Sequence, residues 1–126
     1  MVGIVIVSHS KKLAESVVEL AKMMADDAPI AAAGGLEDGT FGTSYEKISA
    51  AIDSVYSDDG VVVLMDMGSA VMTTEMVIED MTDKNVKMID CPLVEGAVVA
   101  AIGSSSKQNM EEIIEAAMDA AKEKKL

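Results

Sequence analysis

Residues 1–7 are an unbroken apolar run rich in β-branched side chains, and Ser8-His9-Ser10 ends it. A run of that length without polar alternation predicts a central strand covered on both faces. A helical period follows, with Leu13, Val17, Leu20 and Met24 on one stripe. Residues 29–33 form a shorter apolar run of weak strand propensity, stopped by Gly34-Gly35. The stretch 34–42 holds four glycines and reads as a long loop. Thr43-Ser44-Tyr45-Glu46 has capping-box spacing, so Thr43 is the expected N-cap of a helix that turns Ile48, Ile52 and Val55 inward.

After a turn at Asp58-Asp59-Gly60, residues 61–65 give a second strong apolar strand, which ends at Asp66-Met67-Gly68-Ser69-Ala70. A helix continues to about Met81. Residues 85–89 alternate more and stand beside or carry Lys84 and Lys87, which suits a sheet edge. Pro92 opens a helix over 93–102, closed by Gly103, whose only charge is Glu95. Such a helix has to be covered, by the sheet or by a second copy of the chain. Residues 105–108 offer a further cap, and Met110, Ile113, Ile114 and Ala117 form the stripe of a last helix with Lys122, Lys124 and Lys125 at its end.

Strands alternating with helices predict an α/β fold of three layers, α/β/α, with a mainly parallel sheet joined by right-handed crossovers. The two most apolar strands, first and third, belong at the centre, which gives the order 2-1-3-4. In such a sheet ligands bind beyond the carboxyl ends of the strands where the order reverses, here between strands 1 and 3. His9 lies just past strand 1 and Asp66 at the end of strand 3. The expected topology alone brings them together.

The chain of 126 residues reads as one domain over 1–126, without repeat, linker or low-complexity tract. Only 2% of it is aromatic, so aliphatic side chains must build the core, and the eleven methionines are expected to fill gaps between helices and sheet. Twenty-two acidic against ten basic residues give a net charge of −12. That excess argues against nucleic acid or an anionic membrane as partner and for a protein with a basic docking face. The single Cys91 precludes an internal disulfide and a multi-cysteine metal site, and at a strand-to-helix junction it is expected to be buried and inert. The apolar N-terminus is too short for a signal peptide and lacks a basic lead-in. The expected location is cytoplasmic.

A histidine that carries phosphate needs one free, nucleophilic ring nitrogen and an acceptor on the other that steadies the charge formed on attack. Asp66 is placed to be that acceptor; the spacing leaves open which nitrogen does which job. Gly68-Ser69-Ala70 begins a helix, so its amides and the Ser69 hydroxyl face the phosphoryl oxygens, and Gly42 and Thr43 of the second loop wall the same pocket. Plainer readings stand beside these: a structural histidine, an Asp66 that caps a helix, Ser69 and Thr43 as ordinary N-caps. The glycine-rich loop has no lysine and no P-loop spacing.

The chain resembles the mannose-type enzyme IIA domains of the bacterial phosphotransferase system. Four segments carry the likeness in order: Gly-Ile-Val-Ile-Val-Ser-His-Ser at 3–10, Gly-Thr-Ser at 42–44, Met-Asp-Met-Gly-Ser-Ala at 65–70 and Pro-Leu-Val-Glu-Gly-Ala at 92–97. Within that superfamily it is more similar to the M subunits of phosphoenolpyruvate-dependent dihydroxyacetone kinases. Mannose-type transporter proteins carry a tryptophan-containing Gly-Gly-Ser segment where this chain has Asp66-Met67-Gly68-Ser69. The resemblance implies a homodimeric phosphocarrier that accepts phosphate from HPr on His9 and passes it to ADP on the L subunit, re-forming ATP while the K subunit holds dihydroxyacetone. It implies no cofactor on this chain, nucleotide and magnesium belonging to the L subunit, and no metal site. Some relatives carry fused HPr-like and enzyme I-like domains; ending at Leu126, this chain is expected to rely on separate HPr.

Other readings use the same residues. One is a IIA component of a mannose-type sugar transporter. Another is a metal-chelatase-like or small-ligand domain, although His9 and Cys91 are the only imidazole and thiol available. A histidine phosphatase lacks its arginine beside the histidine, and an inert regulatory domain would leave His9 without chemistry.

Overall fold

The computed structural model describes Met1–Leu126, all of the chain. Four strands, β1 (Gly3–Ser8), β2 (Ile30–Gly34), β3 (Val61–Met65) and β4 (Val86–Ile89), form one sheet in the order β2-β1-β3-β4. Every pairing is parallel. Helices α1 (Lys11–Met24), α2 (Tyr45–Val55), α3 (Ser69–Asp80), α4 (Leu93–Ser105) and α5 (Met110–Asp119) cover it, and a 3-10 turn (Ala120–Lys122) follows the last. The expected α/β layers and strand order are both present, with the lysine-bearing β4 at an edge.

Alternate side chains of the buried strands feed two cores. Val2, Ile4, Ile6, Val62, Leu64 and Ile89 point toward α1, α4 and α5. Val5, Val7, Val61, Val63 and Val86 point the other way, toward α2 and α3. The strands read as continuous apolar runs because helices lie on both sides of them.

Details of the sequence reading change where close packing decides. The inward face of α1 is Ala14, Val17 and Ala21, whereas Leu13, Leu20 and Met24 lie on its half-exposed flank. Small side chains win there because the helix presses on β2: a Cβ on Gly34 would come within 2.7 Å of the Ala14 Cβ. Of the methionines, only Met110 belongs to the core, and Met23, Met24, Met67, Met72, Met76 and Met118 are exposed. The expected filler role holds for Met110 and, at the margin of the second core, for Met65 and Met81; elsewhere Val, Ile and Ala fill the space between helix and sheet. The N-cap of α2 is Ser44, which accepts from the Lys47 amide, so Thr43 makes no capping box. Helix α4 runs through Gly103 to Ser105, and the capping box of α5 is Asn109 with Glu112 rather than residues 105–108. No helix is long and apolar enough to cross a membrane.

Candidate active site

Parallel strands joined by helices put every strand-to-helix loop at the same end of the sheet. The N-termini of α1, α2 and α3, capped at Ser10, Ser44 and Gly68, therefore open toward the carboxyl ends of β1, β2 and β3. Their unpaired amides and positive dipole ends make this edge receptive to an anion. His9 stands between β1 and α1, and Asp66 follows β3, the neighbour of β1.

His9 Nδ1 lies 3.0 Å from Asp66 Oδ1. The same carboxylate accepts the Met67 amide on Oδ1 at 2.7 Å. On Oδ2 it accepts the Ser8 hydroxyl at 2.9 Å and the His9 amide at 3.0 Å. Burial pushes the Asp66 carboxyl up, but the donations from His9, Ser8 and Met67 outweigh it and hold the group below its ordinary value. An ionised carboxylate can only accept, so Nδ1 carries the imidazole proton of neutral His9.

That assignment leaves a lone pair on Nε2. Ser69 Oγ sits 2.8 Å from it and donates its proton there. With its proton committed, Ser69 accepts from the Thr43 hydroxyl at 3.1 Å. Thr43 in turn stands 3.2 Å from the Thr73 hydroxyl. The donor directions agree along the whole row: Thr73 to Thr43 to Ser69 to Nε2, with Nδ1–H to Asp66 on the far side. The sequence left the two nitrogens undistinguished; the network makes Nε2 the one that carries the lone pair.

Sequence reasoning named seven site residues, and the structure gathers His9, Asp66, Ser69 and Thr43 into direct hydrogen-bond contact. Gly68 adopts φ 53°, ψ −118°, a conformation that favours glycine, and so turns the chain from β3 into α3. The expected amide donors are fewer than the spacing implied. The Gly42 amide is spent on the His9 carbonyl at 3.0 Å, and that of Ala70 on the Met67 carbonyl at 3.1 Å. Gly42 instead ties the second loop to His9, while the amides of Gly68 and Ser69 remain open to a ligand. Two contributors had no assigned role: Ser8, whose hydroxyl is fixed between Asp66 and the Ser10 amide, and Thr73. Ser8 stood in the Ser-His-Ser motif, but nothing in the helical pattern singled out Thr73.

Three large apolar side chains are exposed on the segments that carry these polar groups. Phe41, Met67 and Met72 are 80%, 67% and 68% exposed, each on a segment that supplies a site residue. No enclosed cavity surrounds His9; a shallow hollow of about 370 Å³ beside it is lined by Ser10, Lys11, Lys12, Gly39 and Phe41. Exposed phenylalanine and methionine on the segments that carry the site suit a reactant brought by another protein better than a free small molecule. Cys91, in the loop between β4 and α4 at the same end of the sheet, is half-buried, and burial with the neighbouring Asp90 pushes its thiol up to about 11.

The family described as PTS system fructose IIA component, EIIA-man, matches residues 3–118. The chain belongs to the EIIA-man family. Among curated relatives, the phosphoryl donor subunit DhaM of the PEP-dependent dihydroxyacetone kinase of Escherichia coli (strain K12) is 39% identical over 99% of this chain. This chain spans only 28% of that relative's length. The DhaM subunit of dihydroxyacetone kinase 1 from Listeria innocua is 41% identical, over 79% of this chain and 78% of its own length. These similarities bear out the resemblance carried by the four motifs. The crystal structure of a protein of unknown function, EF1359, superposes with a TM-score of 0.84 at 30% identity, covering 97% of this chain and 96% of that one. A EIIA-man fold of this kind ends in the loop edge where His9 and Asp66 meet.

Proposed function

We propose that this chain is a phosphocarrier, with His9 Nε2 as the atom that takes the phosphoryl group. The observation that carries the reading is the two-sided hold on the imidazole, Asp66 on Nδ1 and a hydroxyl on Nε2, at an open edge whose segments expose apolar side chains. Nε2 attacks the phosphorus of a phosphohistidine on HPr; the new P–N bond forms as the old one breaks, and the donor imidazole leaves. His9 becomes cationic, and ionised Asp66 stabilises that charge through Nδ1–H. Ser69 swings its proton from Nε2 to a phosphoryl oxygen, joined by the Gly68 and Ser69 amides and the dipole of α3. The second transfer reverses these steps toward ADP bound on the L subunit of dihydroxyacetone kinase, whose K subunit holds dihydroxyacetone. The names of the DhaM relatives, phosphoryl donor subunits, support that acceptor.

The working form is a homodimer in the cytoplasm, where HPr is found. Support for pairing comes from α4, whose outer face leaves Val94 and Ile102 exposed although the helix carries a single charge, Glu95.

The test is incubation with phosphoenolpyruvate, enzyme I and HPr, followed by assay for an acid-labile, base-stable phosphate. The wild type should acquire it and lose it to ADP on the L subunit, and His9→Ala should acquire none while keeping its circular dichroism spectrum. Equal uptake by the variant would remove His9 from the reaction. Uptake without discharge to the L subunit would keep the carrier chemistry and reject this acceptor.

A further inference from the structure

Thr73 and Thr74 are adjacent in α3 and use the same side chain in opposite ways. Thr74 is buried and donates to the Ala70 carbonyl one turn back, at 2.6 Å. Thr73 leaves its own helix and reaches the Thr43 hydroxyl on the loop after β2. We infer that Thr73 is a positioning residue for His9, acting through Thr43 and Ser69 to keep a proton aimed at Nε2.

The inference follows from counting protons along the row. Each hydroxyl has one proton to give. If Thr43 turned its proton toward Thr73, Ser69 would lose its donor, and its own proton would be free to rotate away from Nε2. Donation from Thr73 closes that alternative, because Thr43 then has its acceptor position filled from α3 and its proton directed at Ser69. When phosphate takes up the lone pair on Nε2, Thr43 still fills the acceptor position of Ser69, and the Ser69 proton is left to turn to an incoming oxygen. Thr73 also joins the loop bearing Thr43 to the helix bearing Ser69, two segments that no backbone hydrogen bond connects. This role rests on the phosphocarrier reading for its purpose, but the geometry it predicts exists in the free protein.

The experiment compares wild type, Thr73→Val and Thr73→Ser, with Thr43→Val and the Thr43→Val/Thr73→Val double variant. Valine matches threonine in shape and Thr73 is only half-buried, so the fold is kept, which melting curves verify. In 15N-labelled free protein, the His9 Nε2 resonance should move toward that of an unbonded imidazole nitrogen in Thr73→Val and return in Thr73→Ser. Single-turnover uptake from phospho-HPr should slow by about two- to tenfold in Thr73→Val, the scale of one neutral hydrogen bond. The double variant should be no slower than Thr43→Val alone, since both act along one row. An unchanged Nε2 resonance in Thr73→Val, or additive effects in the double variant, overturns the inference. A wild type that takes no phosphate at all rejects the phosphocarrier reading, and the resonance then decides the relay by itself.

Discussion

His9 Nδ1 and Asp66 Oδ1 stand 3.0 Å apart although 57 positions separate them in sequence. The parallel pairing of β1 with β3 sets that distance. Val7 lies opposite Met65, so the residues just beyond each strand end meet across the gap. The Asp66 amide donates to the Val7 carbonyl at 3.1 Å and extends the ladder to the residue that holds the ring. An acceptor fixed by the sheet itself holds the ring without help from a mobile loop.

Asp66→Asn keeps the shape of the acceptor but removes its charge and introduces an amide that competes for the donors around it. Phosphate uptake on His9 should slow by roughly 10- to 100-fold, the scale on which loss of the carboxylate behind a metal-bound histidine acts. Single-turnover kinetics with phospho-HPr measures this, and an unchanged rate would take Asp66 out of the mechanism.

The same carboxylate predicts a pH dependence of stability. Its folded value lies below the ordinary 3.8, so its stabilising contribution is complete above the unfolded value and disappears as pH falls through the depressed folded one. The difference in melting temperature between wild type and Asp66→Asn should be constant near neutrality and shrink in the acid range below 3.8. A difference that stays constant down to acid unfolding would contradict the hydrogen-bond account of the shift.

Gly68 has open space where a Cβ would go, so any penalty for Gly68→Ala comes from its positive φ alone. The variant should lose about 1–3 kcal/mol of stability in urea titrations. It should also lose more phosphate uptake than stability explains, because a changed turn displaces Ser69. Wild-type denaturation midpoint and uptake together would show that the turn tolerates a side chain.

The exposed face of α4 bears on assembly. Sedimentation should give a dimer for the wild type and a monomer for Ile102→Glu, a position exposed enough for the fold to accept the charge. The variant should still take phosphate on His9. A monomeric wild type would sink the homodimer.

Much of this was legible in one dimension. The two aliphatic runs fix β1 and β3 as the central strands, because only a strand covered on both faces can be so uniformly apolar. From that, with right-handed crossovers, the order β2-β1-β3-β4 follows and His9 comes opposite Asp66. Capping was less legible: Thr43 fits the cap pattern as well as Ser44, and neighbouring hydroxyls one residue apart differ only in which way the chain turns. Surface methionines were hidden for a related reason, since hydropathy does not tell a core methionine from one exposed beside a functional edge.

The sequence by itself therefore determined the layers, the strand order and the meeting of a histidine with a carboxylate, all of which depend on periodicity and chain topology. Only the tertiary structure decided which nitrogen of His9 is free, that the Gly42 and Ala70 amides are already engaged, and that Thr73 reaches across to Thr43. Those outcomes rest on where single protons point and on contacts of about 3 Å between segments distant in the chain. Hydrogen bonds fall off within fractions of an ångström and a few tens of degrees, and no pattern along the chain carries that resolution.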